Sequence, residues 1–410
     1  MKQGWEVRKL GDVCDLITCG VAARPQYVDE GIPFLSAKNV KEGKIIWSGY
    51  NCISEQTHNE LTKNNKPLLG DILYTRVGSY GEAAVIEDDY EFSVFVSLTL
   101  IKVSESTVSN YFLKHYLNSD YVKQLAKKSI SGSGVGNLNV GTVREFPIKF
   151  PSLPEQQRIV AILDEAFAAI AKAKANAEQN LKNAKELFES YLQSVFENKG
   201  EGWEEKILSE ITNKIGSGAT PRGGNESYKL EGISLIRSMN VHDFEFRDKN
   251  LAFIDDQQAK LLNNVTIEEN DVLLNITGAS VARCCVIPKK YLPARVNQHV
   301  SIIRAKKDII LPYFLSVLLT SKFYKKQLLF TGEQGATRQA ITKAQLEVFK
   351  VFFPSLQEQQ TIVQKLDALS TETKQLEAIY QQKINDLDEL KKSILQKAFA
   401  GELNTTTLEV

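Results

Sequence analysis

Two stretches of this 410-residue chain carry an uninterrupted helical pattern. Residues 155–198 and 358–401 are rich in Ala, Glu, Lys, Gln and Leu, and neither contains glycine or proline before its end. Prolines precede both stretches, and Gly200 and Gly401 close them, which is the usual punctuation of helix starts and ends. We therefore predict one long helix in each stretch.

Apolar residues in both stretches recur at alternating steps of four and three, the spacing of left-handed coiled coils. We predict that the two helices pair antiparallel within the chain, with the polar Asn180 and Lys383 at equivalent seam positions. Two helices that pack separately, each on its own globule, remain the alternative. The predicted seam residues are Ile159, Leu163, Ala166, Ile170, Ala173, Ala177, Leu187 and Tyr191 in the first helix, and Ile362, Leu366, Leu369, Leu376, Tyr380, Leu387, Leu390 and Ile394 in the second.

The remaining sequence, residues 1–150 and 201–352, contains short alternating apolar runs separated by turn residues. Such runs favour strands. The two segments are therefore predicted to be mixed α+β globules. The clearest predicted strands lie near 32–35, 71–74, 94–100, 272–276 and 300–304, and the clearest helices at 110–126 and 312–328.

The chain is an internal duplication. FPSLPEQQRIVAILD at 150–164 returns as FPSLQEQQTIVQKLD at 353–367, and Trp5-Glu6 returns as Trp203-Glu204. We assign a first globule to 1–150, a first helix to 151–200, a second globule to 201–352 and a second helix to 353–410. Antiparallel helices would relate the halves by an approximate two-fold axis. A helix rises 1.5 Å per residue, so a rod of about 60 Å would hold two similar but non-identical binding surfaces apart.

Composition is that of a folded globular protein. Hydrophobic residues make up 43% and charged residues 24%, and the formal net charge is zero. This balance excludes a highly charged disordered chain and gives no global signature of nucleic-acid binding. Locally, residues 201–352 hold 21 basic and 17 acidic residues, and residues 1–150 hold 17 of each, whereas both helical segments have more acidic than basic residues.

The sequence contains neither an apolar run of about 18 residues, as a membrane helix requires, nor the apolar core of a signal peptide. Its five cysteines are odd in number and scattered. We therefore predict a reduced, cytoplasmic protein with no membrane contact.

Catalytic and metal-binding motifs are absent from the sequence. It has no G-x-x-x-x-G-K-[ST] phosphate loop and no H-E-x-x-H metal helix. The four histidines lie far apart and show no ligand spacing. We therefore predict a binding role, with no catalytic residue and no metal site in this chain. A stand-alone enzyme with an unrecognised site remains an alternative.

Polar residues in Gly-rich loops are the candidates for nucleic-acid contact, and for each of them a solvated loop residue with no such role remains the alternative. Phosphate is bound by Lys and Arg, and base edges are read by Arg, Lys, Asn and Gln. The two globules place such residues at matching points but with different identities: Thr75-Arg76 stands opposite Asn275-Ile276. The candidates are Arg24, Lys38, Asn39, Arg76, Ser133 and Asn137 in the first globule, and Thr220, Arg222, Arg237, Asn240, Thr277, Arg338 and Gln339 in the second.

The order of motifs resembles that of the specificity (S) subunits of type I restriction–modification systems. The resemblance covers the whole chain. The motifs in order are W-E-x-x-x-L at 5–10 and 203–208, G-D-I-L at 70–73 and D-V-L at 271–273, the FPSL segments, and A-F-x-G-E-L at 398–403. The second globule also has the family-like Ser217-Gly218-Ala219-Thr220-Pro221, from which residues 19–25 of the first globule depart.

This resemblance implies two target recognition domains, each reading half of a split site in double-stranded DNA. It further implies that the helix pair sets the gap and docks two methyltransferase subunits, with a motor–nuclease restriction subunit as a further partner. S-adenosylmethionine, ATP and magnesium would bind those partners, and no cofactor would bind this chain. The alternative is a scaffold with two protein-binding globules and no DNA.

Overall fold

The computed structural model describes residues 4–104, 106–130, 136–198, 200–333 and 340–403, which divide into two compact units. Unit 1 contains the described residues up to Glu178 together with those from Gln381 onward, and unit 2 runs from Gln179 to Tyr380. The division passes through both long helices, so each unit holds a globule and part of each helix.

Unit 1 is a mixed α+β globule, as predicted. Its strands are β1 (Glu6–Lys9), β2 (Cys14–Cys19), β3 (Ile32–Leu35), β4 (Val40–Lys41), β5 (Lys44–Ile45), β6 (Asn51–Ile53), β7 (Ile72–Thr75), β8 (Ala83–Val85), β9 (Ser93–Val94), β10 (Leu98–Val103) and β11 (Pro147–Phe150). Its helices are α1 (Glu55–Thr62), α2 (Asn110–Leu117), α3 (Asp120–Lys128), α4 (Val140–Arg144) and the first part of α5 (Leu153–Glu197).

Unit 2 repeats this plan. Its strands are β12 (Glu204–Ile207), β13 (Thr212–Ser217), β14 (Ile233–Ile236), β15 (Val241–His242), β16 (Glu245–Phe246), β17 (Ala252–Ile254), β18 (Thr266–Ile267), β19 (Val272–Asn275), β20 (Cys284–Val286), β21 (Ala294–Val296), β22 (Val300–Ala305) and β23 (Lys350–Phe353). Its helices are α6 (Leu208–Ile211), α7 (Asp256–Leu261), α8 (Pro312–Thr320), α9 (Lys322–Glu333), α10 (Lys343–Glu347) and the first part of α11 (Leu356–Ala400).

The central sheets of the two units have the same topology. Four antiparallel strands run in the order β2-β10-β7-β8 in unit 1 and β13-β22-β19-β20 in unit 2. A second sheet contains a parallel pair in each unit, β3 with β9 and β14 with β21. A two-stranded ladder, β1 with β11 or β12 with β23, leads into each long helix.

Three predicted elements are each split in two. The predicted strand 94–100 is interrupted at 95–97, where β9 ends and β10 has not begun. The predicted helix 110–126 breaks between α2 and α3 because Ser119 adopts an extended conformation and accepts a hydrogen bond from Val122 N–H, which starts a new helix. The predicted helix 312–328 breaks between α8 and α9 at the extended Ser321.

The antiparallel pairing of α5 and α11 is confirmed within unit 1. Lys174 on α5 bonds Asp388 on α11 at 2.7 Å, and Lys391 lies over the ring of Phe167, 5.0 Å from its centroid. Contacts that lie further towards the C-terminus of α5 therefore lie further towards the N-terminus of α11. The last turns of α11 enter the core of the globule, where the Phe399 ring lies 5.4 Å from that of Phe112.

Within unit 2 the same helices also run antiparallel. Leu192 and Phe196, near the end of α5, share a buried cluster with Ile362 and Leu366, near the start of α11. The ring of Phe196 lies 5.7 Å from that of Phe314 on α8. Each globule thus receives the start of one long helix and the end of the other.

The predicted seam is wrong at several positions in its later turns. Leu187, Leu376 and Leu390 are exposed by 47%, 36% and 47%, and the polar Asn180 and Lys383 face solvent. The next residue along takes the inner position in several turns, as at Ile384. An α-helix has 3.6 residues per turn, whereas the heptad spacing assumes 3.5. Positions predicted from a strict heptad therefore rotate gradually away from the buried face along the helix. Replacing one three-residue step by a four-residue step returns the predicted positions to the buried face. The other predicted seam residues are buried or half-buried.

No helix among the described residues is both long and apolar enough to cross a lipid bilayer.

Candidate nucleic-acid interface

Loops gather at one end of each central sheet. In unit 1, β2 and β7 end where β8 and β10 begin, so residues 20–25, 76–82 and 95–97 share this end. The segment around Asn137 joins them through a bridge to Val77. We call this set the loop end of unit 1.

Unit 2 has a corresponding loop end. Residues 218–232, 276–283 and 297–299 lie where β13 and β19 end and where β20 and β22 begin. Thr277 bridges to Ala340, as Val77 bridges to Asn137 in unit 1. The two loop ends therefore share one backbone frame.

A glycine in each unit lets two strands approach at this end. A Cβ atom on Gly20 would lie 2.0 Å from Val94 O, and one on Gly218 would lie 1.8 Å from Val296 O. Both distances are far inside van der Waals contact, so no side chain fits at either position. This steric requirement explains why the duplication retains glycine there.

Side chains on the shared frame differ between the units. The loop before β10 contains Phe95, Val96 and Ser97, whereas the matching loop before β22 contains Asn297, Gln298 and His299. Asn297 is buried, and its Oδ1 accepts the N–H of His299 at 3.0 Å. Gln298 is exposed and His299 is half-buried. Amides and imidazoles carry the donors and acceptors that read base edges, and a phenylalanine does not.

In unit 2 these side chains form one polar row. Thr220 donates to Gln298 Oε1, whose amide Nε2 lies 3.1 Å from His299 Nε2. The other ring nitrogen, His299 Nδ1, lies 2.5 Å from Thr277 Oγ1. Two predicted contact residues, Thr220 and Thr277, are thereby brought together. Sequence reasoning missed Gln298 and His299, although the adjacent Asn-Gln-His between two predicted strands was a usable signal.

In unit 1 the structure joins Arg76 to Asn137. Arg76 is only 7% exposed; its Nη2 donates to Asn137 Oδ1 at 2.9 Å, and its Nε donates to Leu138 O at 2.8 Å. A third bond runs from Nη1 to Val96 O at 3.0 Å. Arg76 therefore closes the loops on one another, and its guanidinium is not free for phosphate. Asn137 remains exposed.

Asn39 and Asn240 are loop-building residues, which corrects their predicted role in DNA contact. They are 1% and 0% exposed. Asn39 accepts the Ser36 N–H at 3.1 Å and donates to Ile46 O and Ser48 O, both at 3.1 Å. Asn240 makes the corresponding bonds to Arg237 N–H at 3.1 Å and Arg247 O at 2.8 Å.

The other predicted contact residues have different degrees of exposure. Arg24, Lys38 and Arg222 are exposed on loops. Arg237 is half-buried, donates to Asn250 O and lies over the Tyr228 ring, 5.2 Å from its centroid. Ser133, Arg338 and Gln339 lie outside the described residues.

The aspartates of the G-D-I-L and D-V-L motifs are structural. Asp71 accepts the Leu68 N–H at 2.8 Å and pairs with Lys102, and Asp271 pairs with Arg304 at 2.8 Å. The Asp271 side chain is 1% exposed. Both carboxylates close the turn before a central strand, so the motif marks a fold requirement.

The described residues contain no group of three or more His, Cys, Asp or Glu placed to hold a metal ion. Burial raises the pKa of Cys14 and of Cys285 to about 12, so both thiols stay protonated near neutral pH.

Comparisons with known proteins find one family. The model of the type I restriction modification DNA specificity domain matches residues 2–182 and again residues 200–386. Among curated relatives, the putative type I restriction enzyme MjaX specificity subunit of Methanocaldococcus jannaschii is 23% identical, with 99% of this chain and 95% of that protein covered. The EcoKI specificity subunit of Escherichia coli is 21% identical, with 98% and 90% covered.

Solved structures share the fold. A chain reported under "Structural basis underlying complex assembly and conformational transition of the type I R-M system" superposes with a TM-score of 0.75 at 20% identity, over 98% of this chain and 99% of that chain. The HsdS subunit from Thermoanaerobacter tengcongensis superposes with a TM-score of 0.63 at 20% identity, with 98% of each chain covered. The family match extends over both units, and the chain therefore belongs to the type I restriction modification DNA specificity domain family, with that domain present twice.

Proposed function

We propose that this chain is the specificity subunit of a type I restriction–modification complex and reads a DNA site in two halves, one at each loop end. The observation that carries this proposal is one sheet frame, built twice, with different side chains at matching points. Phe95-Val96-Ser97 against Asn297-Gln298-His299 is the clearest instance. A shared frame supports a shared mode of binding, and different side chains support two different half-site sequences.

The paired helices set the allowed gap between the half-sites and dock two methyltransferase subunits. Both helical segments have more acidic than basic residues. An acidic surface repels DNA phosphate, which favours protein partners on the helices. Duplex DNA then meets the loop ends, where Arg24 and Arg222 are exposed. The exposed Lys38 lies beside the loop end of unit 1, because the N–H of Ala37 donates to Ser97 Oγ at 2.9 Å.

The chemistry belongs to partner subunits in this proposal. The methyltransferase subunits bind S-adenosylmethionine, and a motor–nuclease subunit uses ATP and magnesium. This chain supplies recognition and spacing and binds none of these cofactors. Methyl transfer catalysed by the purified chain alone would contradict that division of labour.

Salt-dependent DNA binding by the assembled complex tests the proposal. The chain is combined with its methyltransferase subunit, and duplex affinity is measured between about 50 and 200 mM salt, over which several phosphate contacts cost orders of magnitude in affinity. We expect the affinity to fall steeply, and Lys38→Ala and Arg222→Ala each to make the dependence shallower. DNA binding that depends on neither salt concentration nor DNA sequence would favour the alternative function, a scaffold that binds proteins.

A further inference from the structure

A buried glutamine stands at the base of each long helix. Gln156 and Gln359 are both 0% exposed, although glutamine is mostly a surface residue. They occupy the same place in the duplicated motif E-Q-Q, one turn into α5 and α11. Burying an amide is unfavourable unless its oxygen and its N–H groups all find partners.

Gln156 satisfies its whole amide within unit 1. Its Nε2 donates to Pro151 O at 2.8 Å and to Thr107 O at 3.2 Å. Its Oε1 accepts the N–H of Ser109 at 2.8 Å. Ser109 directly precedes α2, whose Phe112 lies in the core of the globule.

Gln359 makes the same three bonds in unit 2. Its Nε2 donates to Pro354 O at 2.8 Å and to Ile309 O at 3.0 Å, and its Oε1 accepts the N–H of Leu311 at 2.8 Å. Leu311 directly precedes α8, the counterpart of α2. We call each glutamine with its three bonds a glutamine clasp.

Each clasp joins three parts of its unit. It ties the first turn of a long helix to the loop that leads into that helix and to the start of a core helix of the globule. All three bonds go to backbone atoms, so they fix the path of the chain. The exit direction of the long helix is thereby fixed relative to the core.

We propose that Gln156 and Gln359 are positioning residues that hold each long helix at a fixed angle to its globule and so determine how strictly the complex selects the gap between half-sites. This inference rests on the proposed function. Neither glutamine contacts DNA; both act through the helices.

Because the helices are long, a small change in the angle between a helix and its globule moves the far end of that helix by a large distance. Helix α5 has 45 residues, which at 1.5 Å each is about 68 Å. A swing of about 5° at its base displaces its far end by about 6 Å, which is about two base-pair steps. A loosened clasp would therefore let the complex accept gaps that differ by one or two base pairs.

Methylation by the assembled complex on duplexes of varied gap tests the clasps. The half-sites are kept, and the gap is the native one or differs by one or two base pairs. We expect Gln156→Ala and Gln359→Ala each to lower the native-to-altered rate ratio at least tenfold. The exposed neighbours provide matched controls, because Gln157→Ala and Gln360→Ala remove the same side chain without a clasp. These control variants should have the same native-to-altered rate ratio as the parent complex.

The same data distinguish a loosened clasp from a general loss of stability. A general loss of stability lowers the methylation rate equally at every gap and leaves the native-to-altered rate ratio unchanged. An unchanged ratio would overturn the inference. If an alanine variant fails to assemble, Gln156→Glu and Gln359→Glu replace it, since they keep the shape and the acceptor but lose the donors. They too should lower the ratio, and an unchanged ratio counts equally against the clasps.

A distance measurement without DNA separates failure of the clasps from failure of the proposed function. Spin labels are placed at the exposed Lys63 and Lys172 of unit 1 in the full chain. Gln156→Ala should broaden the distance distribution between them, and Gln157→Ala should not. Equal widths would reject the clasp, whereas broadening without any gap dependence in the parent complex would reject only the proposed function.

Discussion

At the scale of single residues, Asn39 shapes the first loop of unit 1 from within. One side chain satisfies the N–H of Ser36 and the carbonyl oxygens of Ile46 and Ser48. The adjacent Lys38 is exposed on the same loop. The two neighbouring residues thus have different roles. The buried amide of Asn39 stabilises the loop, and the exposed amine of Lys38 is available to phosphate.

Replacing these neighbours separates stability from binding. We expect Asn39→Ala to lower the free energy of unfolding by about 1–3 kcal/mol, because it leaves buried backbone groups without partners. Lys38→Ala should leave unfolding within about 0.5 kcal/mol of the parent and weaken DNA binding. Denaturant titration and DNA affinity, measured on both variants, check this. The reverse assignment of effects would contradict it.

His115 gives unit 1 a pH-dependent stability. Its ring contacts Phe167, and its Nε2 lies 2.8 Å from Asp164 Oδ1. Burial lowers the pKa of His115 below 6.5, although the hydrogen bond to Asp164 opposes this shift. The folded state therefore binds the proton less well than the unfolded chain. The contribution of His115 to stability is therefore complete above about pH 6.5 and is lost as the pH falls from there towards the lowered pKa.

A natural replacement tests this effect. Unit 2 carries Val317 where unit 1 carries His115. We expect His115→Val to reduce the loss of unfolding free energy between pH 7 and pH 5, because valine has no proton to gain. Urea unfolding of parent and variant at both pH values measures the difference. An equal loss in the two proteins would mean that His115 is not the group responsible.

Sequence alone could not separate loop-building residues from exposed ones. Asn and Arg serve both purposes, so Asn39, Asn240 and Arg76 were predicted as contact residues, yet all three are buried and bonded within the loops. Burial depends on the loops that close over a residue. Those loops lack the periodicity from which their paths could be inferred.

At the scale of elements, the long helices were predictable and their later seam was not. Their length follows from composition and punctuation, and their pairing from the heptad spacing. The inner face shifts by one residue at several later turns: Ile384 is 8% exposed, whereas Leu390 is 47% exposed. The drift of a 3.6-residue helix against a 3.5-residue repeat accounts for the shift, and the heptad spacing alone does not show at which turn it occurs.

Ile384 and Leu390 form a matched pair for testing the observed seam. Ile384→Ala should lower the free energy of unfolding by about 2–4 kcal/mol, since it leaves a cavity in the packed face. Leu390→Ala should change it by less than about 0.5 kcal/mol. Chemical denaturation of both variants decides the question. A larger cost at Leu390 would restore the strict heptad seam.

At the scale of the whole molecule, the duplication predicted most of the architecture. Matches such as FPSLPEQQ and FPSLQEQQ implied two similar globules and two similar helices. Which loop residues correspond between the two globules was harder to predict from the sequence. Nothing in Phe95-Val96-Ser97 or Asn297-Gln298-His299 indicates correspondence until the strands that flank them are aligned in the structure.

Longer helices should change the accepted gap. Four residues are inserted into both helices at the boundary between the units, after Glu178 and after Tyr380, so that the pairing continues. Each insertion adds about 6 Å, close to two base pairs. We expect the preferred gap to lengthen by about two base pairs, with both half-sites unchanged, when methylation is measured on duplexes of graded gap. An unaltered preferred gap would show that the helices do not set it.

The reading of separate half-sites by the two units is tested most directly by exchanging one globule. Residues 1–150 are replaced by the corresponding segment of another family member with a known target, and the methylated sites are then mapped across a genome. We expect one half-site to change to that of the donor while the other half-site remains. A change in both halves, or in neither, would contradict it.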